Sequence, residues 1–231
     1  MILYSPISIS NNNNNKNNIA MTIKTFTFNP FQENTYLVYD ETNEAVLIDA
    51  GCISDEEKEV LKRFIEENKL TLKRLINTHL HLDHQFGNKF IFNTFGLKPE
   101  AGQEDEYLLE NVVAQARSYG FPISDEAQSL GGYIVDNQEI KFGSSSLIAL
   151  HVPGHSPGSM AFYSQKGGVL FAGDVLFKGS VGRTDLPKGD HATLITSITE
   201  KLLPLPDSTV VYCGHGPATT IGNEKKNNPY L

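Results

Sequence analysis

The run T-H-L-H-L-D-H, Thr78 to His84, places three of the chain's seven histidines and an aspartate within six consecutive positions. At that histidine content, H-x-H-x-x-H should arise by chance in roughly one chain of this length in a hundred or fewer. Imidazole and carboxylate at this density are the donors of a metal site. In extended chain alternate residues point the same way, so His79 and His81 can face one point; on a helix they would sit about 200° apart. Asp83 and His84 then point elsewhere, with His84 turning into the next helix. Two neighbouring ions served by one loop is the economical reading.

Further donors are expected where the chain turns sharply after a strand. His155 stands in V-P-G-H-S-P-G-S and His215 in Y-C-G-H-G-P, both rich in glycine and proline. Asp174 stands in F-A-G-D-V-L-F, which reads as one apolar strand in which an unpaired carboxylate would be costly. All three follow strands, as His79 does, so all can converge on one edge of the sheets. Asp49, in I-D-A-G, is expected to fix the loop or back a ligand rather than to ligate. His151 and His191 read as ordinary surface histidines.

The elements that must position these residues are legible in outline. Strands are expected over Ile23–Phe28, Tyr36–Tyr39, Ala45–Gly51 and Leu72–Thr78, the last leading into the histidine run. Ser54 and Glu57 form a capping box that opens a helix with Val60, Leu61, Phe64 and Ile65 as its buried stripe. A second helix should begin at or just after His84 and end near Gly96, and a third should cover Glu104 to Tyr119. After Tyr133 strands return in E-I-K-F, S-L-I-A-L-H-V, S-M-A-F-Y and V-L-F-A-G-D-V-L-F. Asp190 should cap a last long helix to about Leu203, and T-V-V-Y-C should close the fold. Strands and helices mixed twice along the chain make an α/β body with more than one sheet.

At 231 residues the chain is long enough for a substantial core, and 39% apolar with 20% charged residues is ordinary globular composition. A net charge of −8 argues against a nucleic-acid partner, and no apolar run is long enough to span a membrane. Cys52 and Cys213 lack metal or redox spacing and read as free thiols in a reducing, cytoplasmic setting. Residues 1–20, with seven asparagines in eight positions, lack the features of a signal or transit peptide. They are expected to be a disordered extension, with residues 21–231 as the folded domain.

Taken in order, H-L-H-L-D-H, G-H-S-P-G, A-G-D and C-G-H-G-P resemble the metallo-beta-lactamase superfamily from about Thr22 to Leu231. The resemblance implies a four-layer αββα sandwich with metals at one edge of its two sheets. It also implies that His79, His81 and His155 hold one divalent ion and Asp83, His84 and His215 a second, with Asp174 bridging. Zinc is the first expectation, and iron or manganese suits the same donors. Flavodiiron proteins carry an acid where this chain has His81, and lactamases with a zinc-binding cysteine have it where Asp174 stands. The chain is more similar to glyoxalase II of the short single-domain type, through D-V-L-F-K-G-S-V-G-R-T-D-L-P and G-H-G-P-A-T-T-I-G-N-E.

That likeness implies a hydrolase of small-molecule thioesters, glutathione-linked ones such as S-lactoylglutathione among them. Asp83 would orient the attacking hydroxide or take its proton. Arg183 matches a lysine that contacts the glutathione carboxylate in two-domain glyoxalase II; otherwise it forms a buried salt bridge with Asp185 or Asp190. Asp185 and Pro217 stand where that family has tyrosines, and a counterpart of its helical C-terminal domain is not expected after His215. Two other activities fit the same donors: a mononuclear-iron persulfide dioxygenase using His79, His155 and Asp174, and a lactone hydrolase.

Overall fold

Apolar runs that do not alternate suit strands buried on both faces, and the chain builds its two sheets from such runs. The computed structural model describes residues 7–8, 21–121, 123 and 126–231. The extension expected over residues 1–20 lies outside these, apart from Ile7–Ser8. In chain order the first half comprises β1 (Ile7–Ser8), β2 (Thr22–Phe28), β3 (Glu33–Tyr39), β4 (Glu44–Ile48), α1 (Asp55–Glu67), β5 (Thr71–Ile76), α2 (Leu82–Gln85), α3 (Asn88–Phe95) and β6 (Pro99–Ala101). A 3₁₀ helix (Gln103–Leu109), α4 (Val112–Ser118) and β7 (Gly132–Tyr133) complete it. The second half comprises β8 (Glu139–Phe142), β9 (Ser145–His151), β10 (Met160–Ser164), β11 (Val169–Gly173), β12 (Leu176–Phe177), β13 (Ser180–Val181), α5 (His191–Ser197), β14 (Val210–Cys213), β15 (Thr219–Thr220) and α6 (Ile221–Asn227).

Strands β1 to β7 form one sheet in sequence order, and the second sheet runs β15-β14-β11-β10-β9-β8. Side chains alternate along each strand, so one strand serves two interfaces. Tyr36, Val38, Val46 and Ile48 meet Phe162, Phe171 and Tyr212 of the second sheet. The intervening Leu37 and Leu47 pack on Leu61, Ile65 and Ile91 of α1 and α3. Leu170, Ala172 and Val211 pack on Leu194, Ile198 and Ile221. The result is the four-layer αββα sandwich. In the first sheet β4 and β5 run parallel, in the second β11 and β14 do, and the chemistry-bearing residues follow these strands, except His155, which follows β9.

Several boundaries differ from expectation. Leu61 and Ile65 of α1 are buried, but Val60 faces solvent. The helix expected from His84 to Gly96 starts at Leu82 and breaks after Gln85. At the break the Gly87 amide donates to Ala50 O at 2.7 Å, and a Cβ there would strike Cys52. The helix expected over 104–119 divides into the 3₁₀ turn and α4. Asp190 caps α5 by accepting from the Thr193 amide at 2.8 Å, and the helix continues as a π-helical turn over Ile198–Leu202. The strand expected through Asp174 ends at Gly173, whose φ of 51° turns the chain. Asp174 therefore lies just beyond the strand.

Candidate metal centre

Residue types at sharp turns acquire a direction only from their neighbours, and here Asp49 supplies much of it. Its carboxylate, 1% exposed at the end of β4, accepts from the Thr78 amide at 2.7 Å and the Thr78 hydroxyl at 2.6 Å. It also accepts from His84 Nδ1 at 3.0 Å. With its own proton donated to Asp49, Thr78 Oγ1 accepts from His79 Nδ1 at 3.0 Å. On the second sheet His155 Nδ1 donates to Arg183 O at 2.8 Å and His215 Nδ1 to Phe31 O at 3.0 Å. In their neutral forms these four imidazoles direct the one ring proton outward, and each turns the Nε2 lone pair inward.

Those lone pairs converge. His155 Nε2 lies 3.2 Å from His79 Nε2 and 2.8 Å from His81 Nδ1. Beside this trio His84 Nε2 lies 3.3 Å from His215 Nε2, which is 3.1 Å from Asp83 Oδ2. Within each trio, His79/His81/His155 and Asp83/His84/His215, the donor atoms are within 4.8 Å of one another. Asp174 stands between them, with Oδ1 3.5 Å from His84 Nε2 and Oδ2 3.7 Å from His155 Nε2 and 3.5 Å from His215 Nε2. Asp174 Oδ1 is buried without a hydrogen-bond partner. Inward lone pairs at such distances repel one another unless a cation sits among them. Two divalent cations are what this donor set fits.

Electrostatics separates the two trios. Burial holds His79 well on the neutral side and, with His155 nearby, pushes His81 down to about 3. Burial also opposes charge on His84, but Asp83, Asp174 and Asp49 outweigh it and hold its pKa well above the usual value. His215 is raised too, burial being outweighed by its bond to Asp83 and the field of Asp174. Asp174, despite burial, is held far below the usual carboxylate range by His84, His215 and His155. Gly214 is required where it stands, because a Cβ there would strike Asp174 Oδ1 and His84.

The seven expected ligand residues are therefore brought to one place. Arg183 is close by through its carbonyl, while its guanidinium makes two 2.7 Å bonds to Asp185. That salt bridge is exposed on both sides, at 61% and 68%, and not buried as expected; Asp190 takes no part. His151 bonds Pro157 O through Nε2, away from the cluster, and His191 opens α5 on the surface.

Some participants have no signal in the sequence. Asp105, fully buried in what reads as an acidic surface run, accepts from the Leu80 amide at 3.2 Å, Ser156 Oγ at 2.7 Å and the Gly158 amide at 2.7 Å. It ties the His79–His81 loop to the His155 turn. Asn29 donates from Nδ2 to Gly51 O and Asp83 O at 3.0 and 3.1 Å, bracing the start of α2. Glu33 is wholly buried near Asp49 and His84, with burial raising its pKa well above the ordinary value; it accepts from Thr35 Oγ1 at 2.9 Å. Of these only Asn29, before a proline, carries a turn signal.

A four-layer sandwich with a trio of histidines and a trio of two histidines and a carboxylate at one edge of its sheets, Asp174 between them, defines a metal-dependent hydrolase. The family model of the metallo-beta-lactamase superfamily matches residues 28–215, and the chain belongs to that superfamily. It is 40% identical over 212 residues to the hydroxyacylglutathione hydrolase GloC of Haemophilus influenzae, covering 91% of this chain and 98% of that one. Among solved structures it is similar to the BLEG-1 B3 metallo-beta-lactamase, with a TM-score of 0.79 at 38% identity, covering 90% and 99% of the two chains. It is equally similar to TTHA1623 in a di-iron-bound form, with a TM-score of 0.79 at 36% identity, covering 90% and 100%. Among the described residues no helix is long and apolar enough to cross a membrane.

Proposed function

We propose that the protein hydrolyses small-molecule thioesters, glutathione-linked hydroxyacyl thioesters foremost, with two divalent ions, zinc first among them. The observation that carries this reading is Asp174, set within 3.7 Å of histidines from both trios and positioned to serve two ions at once. The 40% identity to a hydroxyacylglutathione hydrolase supports it. Iron remains compatible, since a similar structure is di-iron-bound, and manganese suits the same donors.

His79, His81 and His155 would hold one ion and Asp83, His84 and His215 the other, with Asp174 shared. Bound there, the ions supply a water acidic enough to attack at neutral pH and a Lewis acid for the acyl carbonyl. The protein's own part is orientation. Asp49, Thr78, Arg183 O and Phe31 O fix the imidazoles, so the site needs little reorganisation at the moment of reaction. Asp83, its side chain 17% exposed and its Oδ2 beside His215, is placed to accept a hydrogen bond from the attacking water and direct it. Arg183 borders the site with its charge already matched by Asp185; an anionic carrier would have to draw it away. The buried free thiols Cys52 and Cys213 suit a reducing cytoplasm.

The test is a metal count per purified chain together with S-lactoylglutathione hydrolysis. About two ions per chain with turnover supports the proposal. About one iron per chain, with oxygen uptake on glutathione persulfide and no hydrolysis, replaces it with the dioxygenase reading. Turnover of a lactone or a β-lactam in place of the thioester keeps the centre and changes the substrate.

A further inference from the structure

Beside the second trio the protein displays two exposed aromatic rings, backed by a third that packs on the Leu82, Val112 and Ala116 cluster. Phe31 is 40% exposed at the tip of the β2–β3 hairpin, and Tyr119 is 54% exposed at the end of α4. Their rings meet edge to face at 5.6 Å, and Phe121, half-buried, lies 5.5 Å from Phe31. The Phe31 carbonyl is the group that orients His215, so this wall begins one residue from a candidate ligand. Phe177, 6.5 Å from the His215 ring, extends the apolar border.

The exposure is built in. Asn29 and Gln32 flank Phe31 in the left-handed region, at φ of 51° and 56°. Such backbone is disfavoured for a residue other than glycine, less so for asparagine, and persists where its surroundings hold it. They do so here: the Phe31 amide donates to Asn29 Oδ1 at 3.0 Å, the Gln32 amide to Asn29 O at 3.0 Å, and the Asn29 amide to Glu57 at 2.7 Å. On the other side the Phe121 amide donates to Ala116 O at 2.9 Å. Two hydrogen-bonded turns therefore hold apolar rings in water next to the reacting centre. A rigid apolar surface continuous with a metal centre calls for an apolar part of the substrate.

We propose that Phe31, Tyr119 and Phe121 form an acyl subsite that selects thioesters carrying a phenyl or branched aliphatic acyl group over those with a small polar one. This rests on the thioester reading. The experiment separates the two by measuring binding without turnover. Calorimetry on the metal-loaded protein compares the uncleavable thioethers S-benzylglutathione and S-methylglutathione. The benzyl compound is expected to bind about tenfold tighter, and Phe31→Ala and Tyr119→Ala each to cut that preference to about threefold or less. Because both rings are exposed, both variants should melt near wild type. Hydrolysis of S-mandeloyl against S-lactoylglutathione is expected to follow the same ratio.

Equal affinities, a preference that survives both substitutions, or no binding of either thioether overturns the subsite. A benzyl preference lost in the variants, with neither thioester cleaved, keeps the subsite and overturns the thioester reading instead. Self-association in sedimentation that Phe31→Ala abolishes assigns the face to a second copy of the chain and also overturns the proposal.

Discussion

Truncating Asp105 should disable one trio and spare the other. In Asp105→Ala three buried donors lose their acceptor: the Leu80 amide, Ser156 Oγ and the Gly158 amide. Ser156 Oγ already lies 2.8 Å from Ser159 Oγ and can turn to it, which leaves two orphaned amides. Each unsatisfied buried amide costs about 1–3 kcal/mol. Removing a carboxylate whose pKa burial has raised returns part of that. The net expectation is a loss of about 2–4 kcal/mol, and about half as much for Asp105→Asn, whose one remaining acceptor serves only one side. Gly158 packs directly on Asp105, so a water has little room to substitute. Urea unfolding of the metal-free protein should show a midpoint about 1 M lower. Elemental analysis should find about one ion per chain, since the His84/His215 trio is held by Asp49 and Phe31 O and not by Asp105. An Asp105→Ala protein that keeps two ions and unfolds within about 0.5 kcal/mol of wild type would refute this account of how the loops are held.

Three further outcomes are expected. Asp174→Ala should lower turnover by more than the roughly 10–100-fold typical of residues behind a metal ligand, and should lower metal content with it; near-normal values of both would sink the shared-carboxylate scheme. Gly214→Ala, which pushes a methyl into Asp174 Oδ1 and His84, should abolish activity while far-ultraviolet dichroism stays native. Acidification should weaken the two trios unequally. His84 and His215 have raised pKa values, so protons compete for them at and above the ordinary histidine value, whereas His81 does not protonate until about pH 3. From pH 8 to pH 6 the affinity of the Asp83/His84/His215 trio should therefore fall the more steeply, with proton release on binding there; titration calorimetry in two buffers reads both. In metal-free protein the sign reverses. The stability that protonated His84 contributes is complete below pH about 6.5 and is lost as pH rises through its folded value.

The sheets were legible because A-V-L-I and V-L-F-A are buried on both faces and leave no ambiguity about burial. The start of α1 was legible because Ser54 and Glu57 form a reciprocal local contact, with the Glu57 amide donating to Ser54 Oγ at 3.2 Å and the Glu57 carboxylate accepting from the Ser54 amide. The convergent histidines were legible for a similar reason, since each sits in a turn that local residues dictate. Asp105 was not, because a buried carboxylate in E-D-E-Y looks like a solvated face until the His155 turn folds over it. The break between α2 and α3 was not either: it depends on Gly87 meeting Ala50 across the fold. Short β6 and β7 and the closing α6 were missed because neighbours hold them in place where their own patterns are too brief to read.

The trios differ in one respect from a site carried on a single loop, because each draws donors from both sheets. His79 and His81 leave β5 of the first sheet while His155 follows β9 of the second, and Asp83 and His84 face His215 from β14 in the same way. A cation held there is a clamp across the seam of the sandwich, and folding and loading become one linked equilibrium. At a free ion concentration a thousandfold above Kd each site would add about 4 kcal/mol, against a typical total stability of about 5–15 kcal/mol. A chelator should therefore lower the melting temperature steeply before it is noticed as lost activity. In a cell, metal supply would set how long each copy of this protein survives.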